Sequence, residues 1–205
     1  MSQSEDSDSP KRRAILNAAT ELFTGRGYGA VSMDAIAKAA DVSKATLYAH
    51  FQSKDALFAR IIQVASQANF VPGEALPTGL TTEADLKAAL RTIGGRLLRF
   101  FLEDRVLAIH RLVIAESLRF PELGRAFYEN GPLAGRAMLA AWMVHQPGLD
   151  VSEPEIAAEQ FIGLLRTGLY LRATLGLAGT PTEAAIDDVV EVSVRTFLRA
   201  YRSVD

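Results

Sequence analysis

"DVSKATLYAHFQSKDALF", residues 41–58, decides how this chain is read. Val42, Leu47, Phe51, Leu57 and Phe58 form an apolar frame. Set into it are Lys44, Thr46, Tyr48, His50, Lys54 and two small residues, Ala45 and Ala49. Ser43 has the chemistry to cap a short helix over 44–50, and Ser53 a longer one over 54–70. At about 100° per residue, Leu47 and Phe51 point toward a core, and Ala45, Thr46 and Ala49 point away from it. Tyr48 and His50 fall on the flanks and Lys44 sits at the N-terminal tip. Small residues on the outermost face let a helix approach another surface closely, and long hydrogen-bonding residues beside them can grip what lies on either side. A DNA major groove meets both demands, with a floor that admits a helix and walls of phosphate.

The residues just before complete the unit. Ser32 caps a short helix, "MDAIAKAA", with Asp34 in its first turn, where the helix dipole favours an acid. "DVS" is a three-residue turn. Ala37 is small enough for two helices to cross closely, and Val42 can plug the angle between them. This is a helix-turn-helix, whose second helix enters the groove. Lys54 opposes the dipole of its own helix, and a lysine beside capped N–H groups suits a phosphate. Taken singly, each residue has an ordinary explanation: alanines favour helix, surface lysines are solvated, and a histidine such as His50 is usually only a surface histidine. The set at these spacings carries the inference.

Working outward, Ser9-Pro10 reads as a helix start, and Ile15, Ala18, Ala19, Leu22 and Phe23 follow helical spacing. "GRGYG", residues 25–29, resembles a dinucleotide-binding loop only superficially. That loop follows a strand, whereas here a helix precedes it, so the glycines read as a helix stop and turn. Residues 1–9 are acidic and short of apolar side chains, and are expected to be a disordered tail rather than a secretory or transit signal.

Bulk composition narrows the function. With 205 residues and 49% hydrophobic content, the chain can bury a sizeable core. It has no cysteine, which excludes disulfides, thiolate metal sites and cysteine nucleophiles. No apolar run reaches the roughly 18–20 residues of a membrane helix, and a cytoplasmic location is expected. The overall charge of −2 conceals an uneven distribution: residues 10–60 carry eight bases against four acids, while the rest of the chain is acidic. A basic segment on a neutral body suits a polyanion partner.

The segment "VSMDAIAKAADVSKATLYAHFQSKDALF" resembles the DNA-binding part of the TetR (tetracycline-repressor-like) family of bacterial transcription regulators, over about residues 10–60. The most specific portion is "TLY-x-HF" followed by "SK" and "LF". The resemblance implies a homodimer on an operator of two half-sites, released when a small molecule binds the second domain. Carried over by position, Lys44, Ala45 and Thr46 meet bases, and Ser32, Tyr48, His50 and Lys54 hold phosphates.

Beyond a Pro/Gly/Thr-rich linker at 71–82, only helical periodicity is found, over approximately 83–104, 105–119, 122–145 (interrupted at Gly131-Pro132), 153–177 and 182–202. The expected fold is therefore all-α, with about nine helices: a three-helix DNA-binding domain at 10–60, a connecting helix at 54–70, and a helical ligand-binding and dimerisation domain at 71–205. Helix 153–177 carries a wide stripe of Phe161, Leu164, Leu165, Gly168 and Leu169, and helix 182–202 offers Val190, Val194, Phe197 and Tyr201. Helices apolar on more than one side are buried on more than one side, so these residues are expected at a dimer interface. The alternative is a pair of wholly internal helices. Phe100, Phe101, His110, Phe127, Tyr128, Met138 and Trp142 are candidates for an apolar or amphipathic effector pocket, although any one of them is as well explained by core packing.

Two other classes are weaker. An enzyme is disfavoured because His50, His110 and His145 lie far apart and no HExxH, GxSxG, P-loop or CxxC is found. "HRLVIAES" places His110 and Glu116 on opposite sides of a helix, where Arg111, Glu116 and Arg119 suit ion pairs. A sequence-independent DNA-architectural protein needs a more basic surface and no large apolar second domain. No cofactor and no metal are expected.

Overall fold

A computed structural model of the chain describes residues 9–70, 76–177, 179 and 181–203, with the side chains of 66–70 left out. The expected tail at 1–9, but for Ser9, and residues 71–75 of the expected linker lie outside the described residues. Among the described residues there are eleven α-helices and no strand. They are α1 (Pro10–Arg26), α2 (Met33–Ala39), α3 (Lys44–His50), α4 (Lys54–Phe70), α5 (Glu83–Leu102), α6 (Asp104–Glu116), α7 (Pro121–Tyr128), α8 (Ala134–Met143), α9 (Pro154–Leu165), α10 (Gly168–Thr174) and α11 (Glu183–Tyr201). No described helix is long and apolar enough to cross a membrane.

The chain forms two compact units. The first takes in residues up to Ala65 and also Ala108–Gly131; the second is Ser66–Leu107 with Pro132–Asp205. In the first unit the sequence signals act as local chemistry requires. The hydroxyls of Ser9, Ser32 and Ser43 accept from the backbone N–H groups of Arg12, Ala35 and Thr46 and start α1, α2 and α3. Ser53 does the same for α4, accepting from Ala56. α1 ends at Gly27, whose φ of +83° suits glycine and whose N–H bonds to the Phe23 carbonyl. In the α2–α3 turn, Asp41 takes the left-handed conformation and the Val42 N–H bonds to the Ala37 carbonyl at 3.0 Å. Ala37 is buried where the helices cross, and Val42 packs on the core.

That core gathers Ile15, Ala19, Phe23, Tyr28, Ile36, Leu47, Phe51, Leu57, Phe58 and Ile61 with Ile109, Leu112, Val113 and Leu123 from α6 and α7. The α1–α2 loop beside it has its backbone polar groups met from two directions. The Glu116 carboxylate accepts the N–H groups of Tyr28 (2.9 Å) and Gly29 (3.0 Å). The Lys54 ammonium donates to the carbonyls of Tyr28 (2.8 Å) and Val31 (3.0 Å) and lies over the Tyr28 ring. The Tyr28 hydroxyl donates to Asp55; burial first, and then this bond, push the phenol well above its ordinary pKa. A Cβ at Gly27 would collide with Glu116, and one at Gly29 would lie 2.8 Å from Phe120. Gly27 and Gly29 of "GRGYG" therefore give room to α6 and the turn after it, and Gly27 also stops α1. Glu116, expected among ion pairs, is a backbone acceptor instead.

The second unit packs α5, α8, α9 and α11 around Leu90, Ile93, Leu97, Leu139, Met143, Phe161, Leu165, Val194 and Phe197. Thr82 and Asp85 form a reciprocal capping box at the start of α5. Gly94 lets the helices close up: a Cβ there would stand 3.3 Å from both Leu165 and Val190. Two expected helices are split. Pro132 lacks an N–H and opens residues 129–133 into a π-helical turn between α7 and α8, where the Asn130 amide donates to the Ala126 carbonyl. The expected helix 153–177 breaks at Arg166-Thr167 into α9 and α10. No proline marks that break, and the apolar spacing runs through it.

The expected dimer face needs correction. Phe161, Leu165, Val190, Val194 and Phe197 are buried within one chain, in the same core as α5. They are unavailable to a second subunit. The wide apolar stripe did signal two apolar sides, but its largest residues belong to the inner one. Leu164, Leu169 and Tyr201 are half-buried and Gly168 is exposed. The apolar residues left outward are Ile156, Leu171, Leu175, Leu177 and Val192.

Two stability measurements follow from this packing. Phe161 is fully buried and meets Phe197 edge-on at 5.1 Å. Phe161→Ala should cost about 3–5 kcal/mol in urea unfolding; a cost below about 1 kcal/mol would place this ring outside the core. Glu116→Ala should cost about 1–3 kcal/mol by stranding two N–H groups, with Glu116→Gln recovering part of it. Unchanged melting in both variants would show that the loop does not depend on this carboxylate.

Candidate nucleic-acid interface

α3 presents the face that its sequence suggests. Leu47 is fully buried, whereas Ala45, Tyr48 and Ala49 are exposed and Thr46 and His50 are half-buried. The outward surface of this helix is therefore made of two methyl groups with a hydroxyl, a phenol and an imidazole around them. Thr46 has its backbone N–H on the Ser43 hydroxyl at 3.0 Å and its own hydroxyl 2.8 Å from the same oxygen. Ser32, at the start of α2, is exposed, and its oxygen accepts from the Ala35 N–H, leaving the hydroxyl proton to donate elsewhere.

The two lysines are less simple. The Lys44 ammonium pairs with Asp34 of α2 at 2.6 Å, and both side chains are more than half exposed. Such a pair contributes about 0–1 kcal/mol, so an incoming phosphate or base edge can displace it. Lys54 has two of its three donors committed to the Tyr28 and Val31 carbonyls. Its place in the first turn of α4 is thus accounted for inside the unit: it closes the α1–α2 loop. One donor is left over for an outside acceptor.

The candidate effector residues fall into separate groups. Phe100 and Phe101 lie together on α5, with ring centroids 5.7 Å apart. Phe101 also meets Tyr170, and the Arg166 guanidinium lies over both the Phe101 and Tyr170 rings. His110 is buried and meets Phe127 edge-on at 5.0 Å in the first unit, where Tyr128 is half exposed. Met138 and Trp142 are on α8 in the second unit, and the Trp142 indole donates to the Pro77 carbonyl at 2.8 Å. The packing of Trp142 is that of a core residue. Among the described residues, no group of three or more His, Asp or Glu side chains could hold a metal ion. Sequence reasoning missed Asp34 as the partner of Lys44 and Glu116 as the partner of the loop. Neither pairing leaves a local signal, since Glu116 is 88 residues from Tyr28.

Comparison with known proteins agrees with this geometry. Residues 15–61 match the profile of bacterial regulatory proteins of the tetR family, and residues 88–203 that of the AefR-like transcriptional repressor C-terminal domain. Over 53 residues the chain is 51% identical to the HTH-type transcriptional regulator UidR of Escherichia coli K12, covering 26% of this chain and 27% of that one. It is 43% identical over 82 residues to the HTH-type transcriptional activator FasR of Mycolicibacterium smegmatis, 39% of this chain and 37% of the relative. The chain thus matches only 27% and 37% of the length of these two curated relatives. The solved structure of the Flavonoid-responsive Regulator FrrA is 40% identical, with a TM-score of 0.76, covering 95% of this chain and 98% of that one. The match of the C-terminal profile to more than half of the chain, and the likeness to FrrA over nearly all of it, assign the fold and the sequence together: the chain belongs to the tetR family of bacterial regulatory proteins.

Proposed function

We propose that the protein is a cytoplasmic, ligand-responsive transcriptional regulator that binds a specific operator as a homodimer and leaves it when a small apolar or amphipathic effector binds. The observation that carries this reading is the outward face of α3, where Ala45 and Ala49 stand exposed between Thr46, Tyr48 and His50. A helix floored with methyl groups can lie deep in a major groove. In this reading Lys44, Ala45 and Thr46 meet base edges. Ser32, Tyr48, His50 and the remaining donor of Lys54 hold phosphates. Repression, rather than activation, is supported by the match of residues 88–203 to the C-terminal domain of AefR-like transcriptional repressors. The exposed residues Ile156, Leu171, Leu175, Leu177 and Val192, with Leu164, Gly168, Leu169 and Tyr201, are the candidates for subunit contact.

α4 begins at Lys54 and its last residues belong to the second unit. An effector that tilts this helix changes the spacing of two recognition helices in a dimer. Half-sites are read at fixed spacing, so operator affinity falls. The 40% identical relative is named as flavonoid-responsive, which makes flat aromatic polyphenols the first effector class to test here.

The test is selection of sites from random duplex DNA at stated salt, with wild type and Lys44→Ala in parallel. A two-fold-symmetric site is expected, and in Lys44→Ala a loss of preference at one position per half-site, at about 1–3 kcal/mol. Equal weakening at every site would make Lys44 a phosphate contact instead. No enrichment by pure, folded protein, or a monomer by light scattering at micromolar concentration, would sink the dimeric operator reading.

A further inference from the structure

Lys44 opens α3, the place in a helix where a lysine opposes the dipole, and no acid stands in that first turn. Its countercharge comes from the other helix of the pair. Asp34, ten residues earlier in the first turn of α2, accepts from the Lys44 ammonium at 2.6 Å, so the ion pair crosses the α2–α3 turn. The two side chains remain 67% and 56% exposed. A pair that open to water is too weak to be what joins the helices. Buried Ala37 and Leu47, and the bond from the Val42 N–H to the Ala37 carbonyl, do that.

The position of this acid calls for a role. Ser32, two residues before Asp34, is exposed, and Ala45 and Thr46 follow Lys44 on the face assigned to DNA. A carboxylate there repels phosphates and lowers affinity for every duplex alike. Two effects offset that loss. A lysine head that is already held loses less rotamer freedom when it binds. An ammonium beside a carboxylate is also a poorer phosphate ligand, because the incoming anion meets the acid as well as the base. Asp34 takes one of the three N–H donors of Lys44 and leaves two. Guanine presents two adjacent acceptors in the major groove, O6 and N7, and lysine can bind them together. The ion pair need not break for that base to be read.

We propose that Asp34 determines specificity through Lys44: by holding the ammonium, it directs the two remaining donors to O6 and N7 of one guanine in each half-site and away from the phosphates. Asp34 is a positioning residue and makes no base contact of its own. The inference rests on the reading of Lys44 as a base contact given above. It places one determinant of operator choice on α2, outside the recognition helix.

The experiment is fluorescence anisotropy with the full chain, over roughly 50–200 mM salt. The duplexes are the selected operator, its three variants at the base pair where Lys44→Ala loses preference, and a scrambled sequence. Wild type, Lys44→Ala, Asp34→Asn, Asp34→Ser, Asp34→Glu and the Asp34→Asn, Lys44→Ala double variant are compared. Wild type should prefer guanine at that position by about 5- to 150-fold, the range for one bidentate contact. Asp34→Asn and Asp34→Ser should remove most of this preference and bind scrambled duplex more tightly. Their slope of log affinity against log salt should steepen by up to about 0.9, as the released ammonium takes a phosphate. Asp34→Glu, which keeps the charge, should keep part of the preference. In the Lys44→Ala background, Asp34→Asn should change base preference no further. An acid that serves only the dipole of α2 gives another pattern: earlier melting and one common loss of affinity, with the guanine preference intact. That result in either folded Asp34→Asn or Asp34→Ser would overturn the proposal, as would a preferred base other than guanine. Loss of preference in Lys44→Ala but in neither uncharged Asp34 variant sinks this inference alone. Equal weakening of every duplex by Lys44→Ala removes the base-contact reading, and this inference with it.

Discussion

α2 and α3 have seven residues each, and helices that short are not stable in water by themselves. The rest of the first unit follows from this constraint. Leu47 is the only fully enclosed side chain on α3, and it belongs to the same core as Ile36, Phe51 and Leu57. Serine caps fix where each short helix begins. The loop before α2 is held by Glu116 and Lys54 through its own backbone groups. The outward face of α3 is thereby released from any structural duty, which is why it can consist of alanines and flexible polar residues. A recognition surface of this kind is held rigid from behind.

The parts of the structure with a local cause were legible in the sequence. Ser9, Ser32 and Ser43 announced three helix starts, Gly27 announced a stop, and the spacing of Leu47 and Phe51 gave the buried side of α3. Pro132 marked the interruption before α8. What could not be read depends on residues distant in the chain. Lys54 looked like a lysine without a structural role because the two carbonyls that it binds come from another segment. Glu116 looked like one member of a charged helix face. The break at Arg166-Thr167 has no sequence marker, and the Arg166 side chain there is occupied with rings on α5 and α10. A stripe of apolar residues says how many sides of a helix are covered, but not which neighbour covers each. For that reason Phe161 and Phe197 read as contacts for a partner when they are the centre of the chain's own second core.

The same limit applies to the residues expected from the sequence to line an effector pocket. Phe100, His110, Phe127 and Trp142 share a composition but no pattern, and a ring that lines a cavity looks like one that fills a core. Trp142 is informative because its N–H finds the Pro77 carbonyl, the kind of bond that a buried indole requires.

The first unit is not one continuous stretch of chain. Residues 66–107 intervene between its two parts, and Tyr28 waits 88 residues for the carboxylate that binds its N–H. During synthesis, the DNA-binding helices emerge well before Glu116, Phe120 and Leu123, and the unit cannot be completed until about residue 131 has been made. Exchange of modules between relatives is constrained in the same way. A graft cut after Ala65 would carry the glycine loop without the acid and the aromatic ring for which its glycines leave room. The functional border of the DNA-binding module therefore lies in two places along the sequence, and recombination that respects only the first would separate a reading head from its own support.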